Sequence, residues 1–200
     1  MKNQTRSFNC TLIVAAILFA LTPASAHDYR PAGKPAKVAK SMLVITPPRD
    51  FNAMSIKPGK NVEIWSLDGE RLNSITFFGG ISAGSPLYKE RNKKREPLPK
   101  LRKDTLIAEI PELLEGTTRA YNQIANFTVT ASKPTKFLGQ DAVSFTYDFI
   151  DKDQLPRRGE AVGTIITGKL YMVTLEAPRL HYFERVQSDF QAIVQSAKFE

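Results

Sequence analysis

Residues that make covalent or metal chemistry easy are scarce in this sequence. Of 200 residues one is cysteine, Cys10, and two are histidine, His27 and His181. A lone cysteine excludes a disulfide scaffold within the chain, a cysteine-rich zinc site and an iron–sulfur cluster. Long apolar runs are missing too. Residues 12–21 form an uninterrupted run of ten. As a helix that covers ~15 Å, about half of a ~30 Å hydrocarbon core. No internal repeat occurs. Hydrophobic residues make up 42% and charged residues 24% of the chain, which excludes a disordered or collagen-like polymer.

What is present begins with an address. Lys2 and Arg6 precede the apolar run, and Ala24-Ser25-Ala26 follow it. This order of charge, apolar stretch and small residues predicts a cleavable secretory signal over 1–26 and a periplasmic or secreted protein with no membrane span after processing. Cys10 lies inside that signal, so the processed chain carries no thiol. Residues 27–40, with two prolines, a glycine and no apolar period, read as a flexible basic leader. The remainder, 41–200, reads as a single domain.

The net charge of +8 is concentrated rather than spread. The segment 89–103 holds Lys89, Arg91, Lys93, Lys94, Arg95, Lys100, Arg102 and Lys103 against Glu90 and Glu96. Such a block predicts either a solvated loop or a contact with an anionic surface. Outside the cytoplasm nucleic acid is scarce, and no aromatics interleave the run. The expected partner is therefore an envelope protein or an anionic lipid or lipopolysaccharide surface, not nucleic acid.

Period-two patterning predicts strands over 42–46, 62–67 and 71–79, the last two joined by a hairpin at Asp68-Gly69, after which Gly79, Gly80 and Gly84 break the pattern. Strands are also predicted over 127–132, over 142–149 with Val143, Phe145, Tyr147 and Phe149 on one face, and over 161–176 with a turn at Gly168-Lys169. Leu114, Thr118, Tyr121 and Ile124 predict a helix over 111–124. Phe183, Val186, Phe190, Ile193, Val194 and Ala197 form the stripe of a final helix opened by Pro178. Short links between strands point to an antiparallel sheet and an α+β fold.

The run TGKLYMVTLEAP, the aromatics Tyr182 and Phe183, the stretch DFQAIVQSAKF and the strand VSFTYDF together resemble the PsbP-like superfamily over roughly 104–199. That resemblance implies an antiparallel sheet sandwiched between helices in a single domain. It also implies a binding or assembly role without catalysis, and no catalytic residues to carry over. The N-terminal half, with its glycine-rich turn and basic loop, departs from the pattern.

Four constellations invite chemistry. Gly80-Ile81-Ser82-Ala83-Gly84 matches the G-x-S-x-G nucleophile elbow, with Asp148 or Asp151 and then His181 following in the order of a hydrolase triad. The elbow requires a helix after the serine, but Pro86 and the basic loop follow here. A serine hydrolase using Ser82, His181 and Asp148 is therefore the alternative to a non-enzymatic binding protein. Gly163 to Lys169 approaches a P-loop but places Leu170 where a hydroxyl must reach magnesium. His27 at a processed N-terminus, joined by His181, would be a two-histidine copper chelate without a held second shell. Asp148, Asp151 and Asp153 lack the glycine and distal glutamate of a calcium loop. No cofactor and no metal is expected. Trp65, Phe77, Phe78 and Tyr88 read as core.

Overall fold

The computed structural model describes residues 28–200. The predicted signal 1–26, Cys10 and His27 lie outside the described residues. In chain order the elements are β1 (Asp28–Arg30), β2 (Ala36–Lys37), β3 (Leu43–Ile45), β4 (Phe51–Ala53), β5 (Val62–Ser66), β6 (Ser74–Ser82), a 3₁₀ turn (Ile107–Glu109), α1 (Ile110–Asn122), β7 (Phe127–Phe137), β8 (Gln140–Ile150), β9 (Pro156–Ile166), β10 (Lys169–Pro178), α2 (Tyr182–Ser196) and β11 (Lys198–Phe199).

Eight strands form one antiparallel sheet in the order β1-β4-β5-β6-β10-β9-β8-β7. Alternation along each strand gives the sheet two apolar faces. One face carries Trp65, Phe77, Val173 and Leu175 and is covered by Phe183, Val186, Phe190 and Ile193 of α2. A small sheet, β11-β3-β2, adds Leu43 and Ile45 to the same layer. The other face carries Phe78, Val143, Phe145 and Tyr147 and is covered by Ile110 and Leu114 of α1, with Leu87 and Leu101 of the long loop after β6. The result is the expected sheet between helical layers. Strand β7, at an edge, is largely exposed and contains Lys133, Pro134 and Lys136, residues that discourage pairing with a further strand.

Several details differ from the sequence reading. Residues 28–40 are not a flexible leader. Asp28, Tyr29 and Arg30 pair with β4, Ala36 and Lys37 pair with β3, and Val38 and Ala39 are fully buried. The prolines and glycine shape turns between these pairings, while the burial comes from partners far along the chain. Pro178 does not open α2. It is the last residue of β10, paired with Arg157, and the helix starts at Tyr182 after a positive-φ His181. The β5–β6 connection is a seven-residue loop, 67–73, rather than a tight turn at Asp68-Gly69. Asn73 organises it: its side-chain oxygen accepts from the Leu67 N–H at 2.8 Å and its amide donates to Asp68 at 2.8 Å.

Strand β6 continues through its glycines. Its register against β10 skips Gly80, so Ile81 faces Leu170 and Gly79 faces Tyr171. Gly80 is the extra residue of a bulge at φ +85°, with the Tyr171 ring close over the place a side chain would occupy. The β9–β10 turn is Thr167-Gly168, one residue earlier than expected. Both of its residues have positive φ, as do Leu138-Gly139 between β7 and β8.

Candidate functional site

The basic segment lies between β6 and the 3₁₀ turn. Leucines anchor it: Leu87 and Leu101 join the apolar cluster on the sheet face that α1 covers, and Leu98 is buried as well. Its two limbs are bridged, since the Gly84 N–H donates to the Leu101 carbonyl at 2.7 Å and the Leu101 N–H to the Ser85 carbonyl at 3.0 Å. Glu90, one of its two acids, accepts from the Leu98 N–H and so braces the loop from within. An aromatic ladder holds the outer side. Phe78 packs on Tyr88 at 5.6 Å, Tyr88 on Tyr121 of α1 at 4.7 Å, and the Arg91 guanidinium lies 4.4 Å from the Tyr121 ring centre. Phe78 is therefore core, as are Trp65 and Phe77, whereas Tyr88 is half-buried and links the loop to α1.

The eight basic side chains are not equivalent. Arg91 is spent on Tyr121. Arg102 pairs with Asp104 at 3.1 Å and Glu109 at 3.4 Å. At the tip, Asn92 accepts from the N–H groups of Lys94 and Arg95, and the Glu96 N–H closes the turn onto the Asn92 carbonyl at 2.8 Å. That turn presents Lys93, Lys94 and Arg95, all exposed. Among the described residues none of these three has an ion-pair partner, nor do Lys89, Lys100 and Lys103.

Beside the base of the loop is an open cleft of about 610 Å³, between the 57–61 segment, the end of β6, residues 85–89 and the start of β10. Lys57, Lys60, Lys89 and Lys169 line it, with Ser82 on its wall, and no acidic residue does. Sequence reading missed this cluster, because the four lysines come from three separate stretches of chain that only the sheet register brings together.

The triad does not assemble. Ser82 pairs with Lys169 at one end of β10, whereas Asp148 pairs with Arg158, itself opposite Ala177 at the other end. Eight residues of strand at ~3.4 Å each separate the two rows by ~27 Å. His181 is exposed and follows Arg179, which lies 3.7 Å from Asp148, so it too sits at the far end from Ser82. A turn, with the Ser85 N–H on the Ser82 carbonyl, follows the serine in place of a helix. Asp148 instead accepts from Arg158 Nε at 2.8 Å and Nη2 at 3.1 Å, and that hydrogen-bonded guanidinium holds its carboxyl below the usual range. The P-loop-like stretch is the β9–β10 hairpin. Among the described residues no group of three or more His, Cys, Asp or Glu is placed to hold a metal ion.

A second cleft, of about 560 Å³, lies toward the Asp151 end of the same sheet face. Glu176 borders it, half-buried, and its Oε1 accepts the Tyr147 hydroxyl at 2.8 Å. Burial raises the Glu176 carboxyl above its ordinary range, with the Tyr147 hydrogen bond and the Arg157 charge opposing and Glu70 reinforcing. Burial also pushes the Tyr147 and Tyr88 hydroxyls up. The native protein thus binds the Glu176 proton more tightly than the unfolded chain does. The stability this contributes is fully present below the ordinary glutamate range and is lost as pH rises through the raised value. Glu176→Gln keeps an oxygen for Tyr147 and removes the ionisation. Thermal melts from pH 4 to 8 are expected to show the variant above wild type at neutral pH, by about 2–4 °C per kcal/mol relieved, with the gap closing toward acid pH. A variant no more stable at pH 7.5 would count against this assignment.

No protein-family model matches the sequence, and no curated protein is significantly similar to it. Solved structures do match. Cyanobacterial PsbP from Synechocystis sp. PCC 6803 superposes with a TM-score of 0.54 at 14% identity, over 90% of this chain and 96% of that one. This is a PsbP-like fold. The Ran-binding protein Mog1p of Saccharomyces cerevisiae gives a TM-score of 0.46 at 9% identity over 86% of this chain and 95% of that one. LpqN of Mycobacterium tuberculosis, described as involved in cell envelope biogenesis, gives 0.35 at 11% over 86% and 90%. Of these three only the first exceeds 0.5, and at such identities the likeness is one of fold alone. Among the described residues no helix is long and apolar enough to cross a membrane.

Proposed function

We propose that the chain is an exported, non-enzymatic binding protein of the bacterial envelope that docks on an anionic surface through the loop 89–103. The observation that carries this reading is the unpaired cationic tip, Lys93, Lys94 and Arg95, on a loop that is itself firmly anchored. Arg102 neutralises its charge internally, whereas the tip residues leave theirs facing solvent. The signal pattern around residues 12–26 supports export. Separation of Ser82 from His181 and Asp148 leaves the hydrolase reading without a site, and the PsbP-like fold is compatible with a protein that binds rather than catalyses.

Each Lys or Arg near an anionic membrane surface is worth about 1 kcal/mol, so losing three weakens docking about a hundredfold. The variant Lys93→Glu/Lys94→Glu/Arg95→Glu is expected to lose at least that much affinity for vesicles containing phosphatidylglycerol in co-sedimentation. Its remaining binding should depend far less on salt. Equal binding by wild type and variant would mean that the loop is merely solvated. A wild type that ignores vesicles yet crosslinks to one envelope protein in a tip-dependent way would move the partner from lipid to protein.

A further inference from the structure

The cleft beside Ser82 carries a second charge imbalance, which shares only Lys89 with the basic loop. Lys57, Lys60, Lys89 and Lys169 reach it from the 57–61 segment, the loop base and the start of β10. Its walls are fixed by the backbone. The Lys89 N–H donates to the Pro58 carbonyl at 2.7 Å, and Asn61 exchanges bonds with Gly79 at 2.9 and 3.0 Å. Ser82 and Ser85 add two hydroxyls, and Ile81 and Leu87 give a buried apolar floor beside the Tyr88 ring.

The other large cleft shows what balance looks like. The 560 Å³ space near Glu176 is lined by four cationic and four acidic side chains, with Arg157 and Asp151 paired at 3.8 Å. The Ser82 cleft has four ammonium groups and no carboxylate, and among the described residues none of the four has an ion-pair partner. Four like charges around one cavity repel one another, so an anion entering it relieves a standing cost.

We infer that this cleft is a binding site for a doubly charged phosphate group, a phosphomonoester or a diphosphate, with any attached apolar portion lying on Ile81, Leu87 and the Tyr88 ring. A carboxylate offers one charge and two acceptor oxygens. A phosphomonoester offers about two charges and three strong acceptors, a closer match to four ammonium groups and two hydroxyls. The phosphate can be free or the headgroup of a lipid. The inference deepens the reading of the protein as a binder of anionic envelope components, but it rests on Lys57, Lys60 and Lys169 rather than on the loop tip, so the two fail separately.

The test is calorimetric titration of the purified protein with inorganic pyrophosphate, with sulfate as the control, alongside co-sedimentation with vesicles containing phosphatidic acid or phosphatidylglycerol. Three proteins are compared: wild type, Lys57→Ala/Lys60→Ala/Lys169→Ala, and Lys93→Glu/Lys94→Glu/Arg95→Glu. The positions changed are exposed, and matched thermal melts confirm folding. Saturable pyrophosphate binding is expected, tighter than sulfate, about a hundredfold weaker in the cleft variant and nearly unchanged in the tip variant. Cleft-dependent binding of phosphatidic acid vesicles without pyrophosphate binding would support the site and assign it to a lipid headgroup. Two results would overturn it: no cleft-dependent binding of either probe, or pyrophosphate binding lost in the tip variant and kept in the cleft variant. The second leaves the loop reading standing. Loss of phosphatidylglycerol vesicle binding only in the cleft variant would sink the loop reading instead.

Discussion

Gly159→Ala is expected to be among the most damaging single-methyl additions to this protein. Gly159 on β9 lies between Tyr147 on β8 and Glu176 on β10, all in one row of the sheet. The Tyr147 ring lies flat across the glycine to place its hydroxyl on Glu176 at 2.8 Å, two strands away. A Cβ at 159 would fall within that ring. The ring cannot simply lift. Phe127 stacks on it at 4.7 Å, and Phe145 and Phe149 flank it at 6.0 and 6.1 Å. Overpacking costs about 1–3 kcal/mol, and losing a hydrogen bond to a carboxylate adds about 1.5–3. A total loss of about 3–5 kcal/mol follows, a fall of roughly 10 °C in Tm for a chain of this size. Denaturant and thermal melts measure it. In a Tyr147→Ala background the same glycine change is expected to cost under about 1 kcal/mol, because the coupling resides in the ring. A loss below 1 kcal/mol in the wild-type background would show that the ring does not need the glycine.

This row illustrates what could be read from the sequence and what could not. The alternation Val143, Phe145, Tyr147, Phe149 identifies a strand with one apolar face, and all four are buried together. The stripe of α2 is equally local, and Phe183, Val186, Phe190 and Ile193 lie on the sheet as expected. Neither pattern says that Tyr147 will meet a glycine on the next strand, because register is a relation between segments. The same limit hid the cleft. Ser82 and Lys169 are cross-strand partners 87 residues apart, so the lysines around Ser82 are invisible to any window along the chain. Local punctuation misled in the opposite direction. Gly79 and Gly80 read as a break, yet a bulge lets β6 run on through them, and the Pro-rich 28–40 segment reads as loose although Val38 is wholly buried. The basic loop was legible as a charge block, but which of its residues remain unpaired depends on Tyr121, Asp104 and Glu109, which the fold supplies.

Replacing Glu63 with alanine is expected to release that N-terminal segment. Glu63 on β5 is buried, with a side chain 5% accessible, and takes three donors: Arg30 Nη2 at 3.0 Å, Trp65 Nε1 at 2.9 Å and the Ala39 N–H at 3.0 Å. It thereby fastens β1 through Arg30 and the turn after β2 through Ala39, while orienting the Trp65 ring against Phe51 and Phe77. Alanine would strand the Trp65 and Ala39 donors and leave Arg30 only the exposed Asp28 carboxylate, 3.9 Å away, while the Arg30 Nε is already buried without a partner. Removing one member of a buried ion pair costs about 3–5 kcal/mol, and the lower figure applies here because Arg30 keeps a fifth of its side chain in water. The loss should be local as well as global. Trypsin is expected to cut Glu63→Ala after Lys37 or Lys40 well below its melting temperature, at sites that resist in the wild type. The double change Arg30→Met/Glu63→Leu separates charge from hydrogen bonding: it removes the unpaired guanidinium but still leaves the buried Trp65 Nε1–H and Ala39 N–H without an acceptor, so only partial recovery over Glu63→Ala is expected. Should Glu63→Ala melt within 1 kcal/mol of wild type and resist trypsin, apolar burial of Val38 and Ala39 would be what holds residues 28–40, and the carboxylate would be only a satisfied acceptor beneath them.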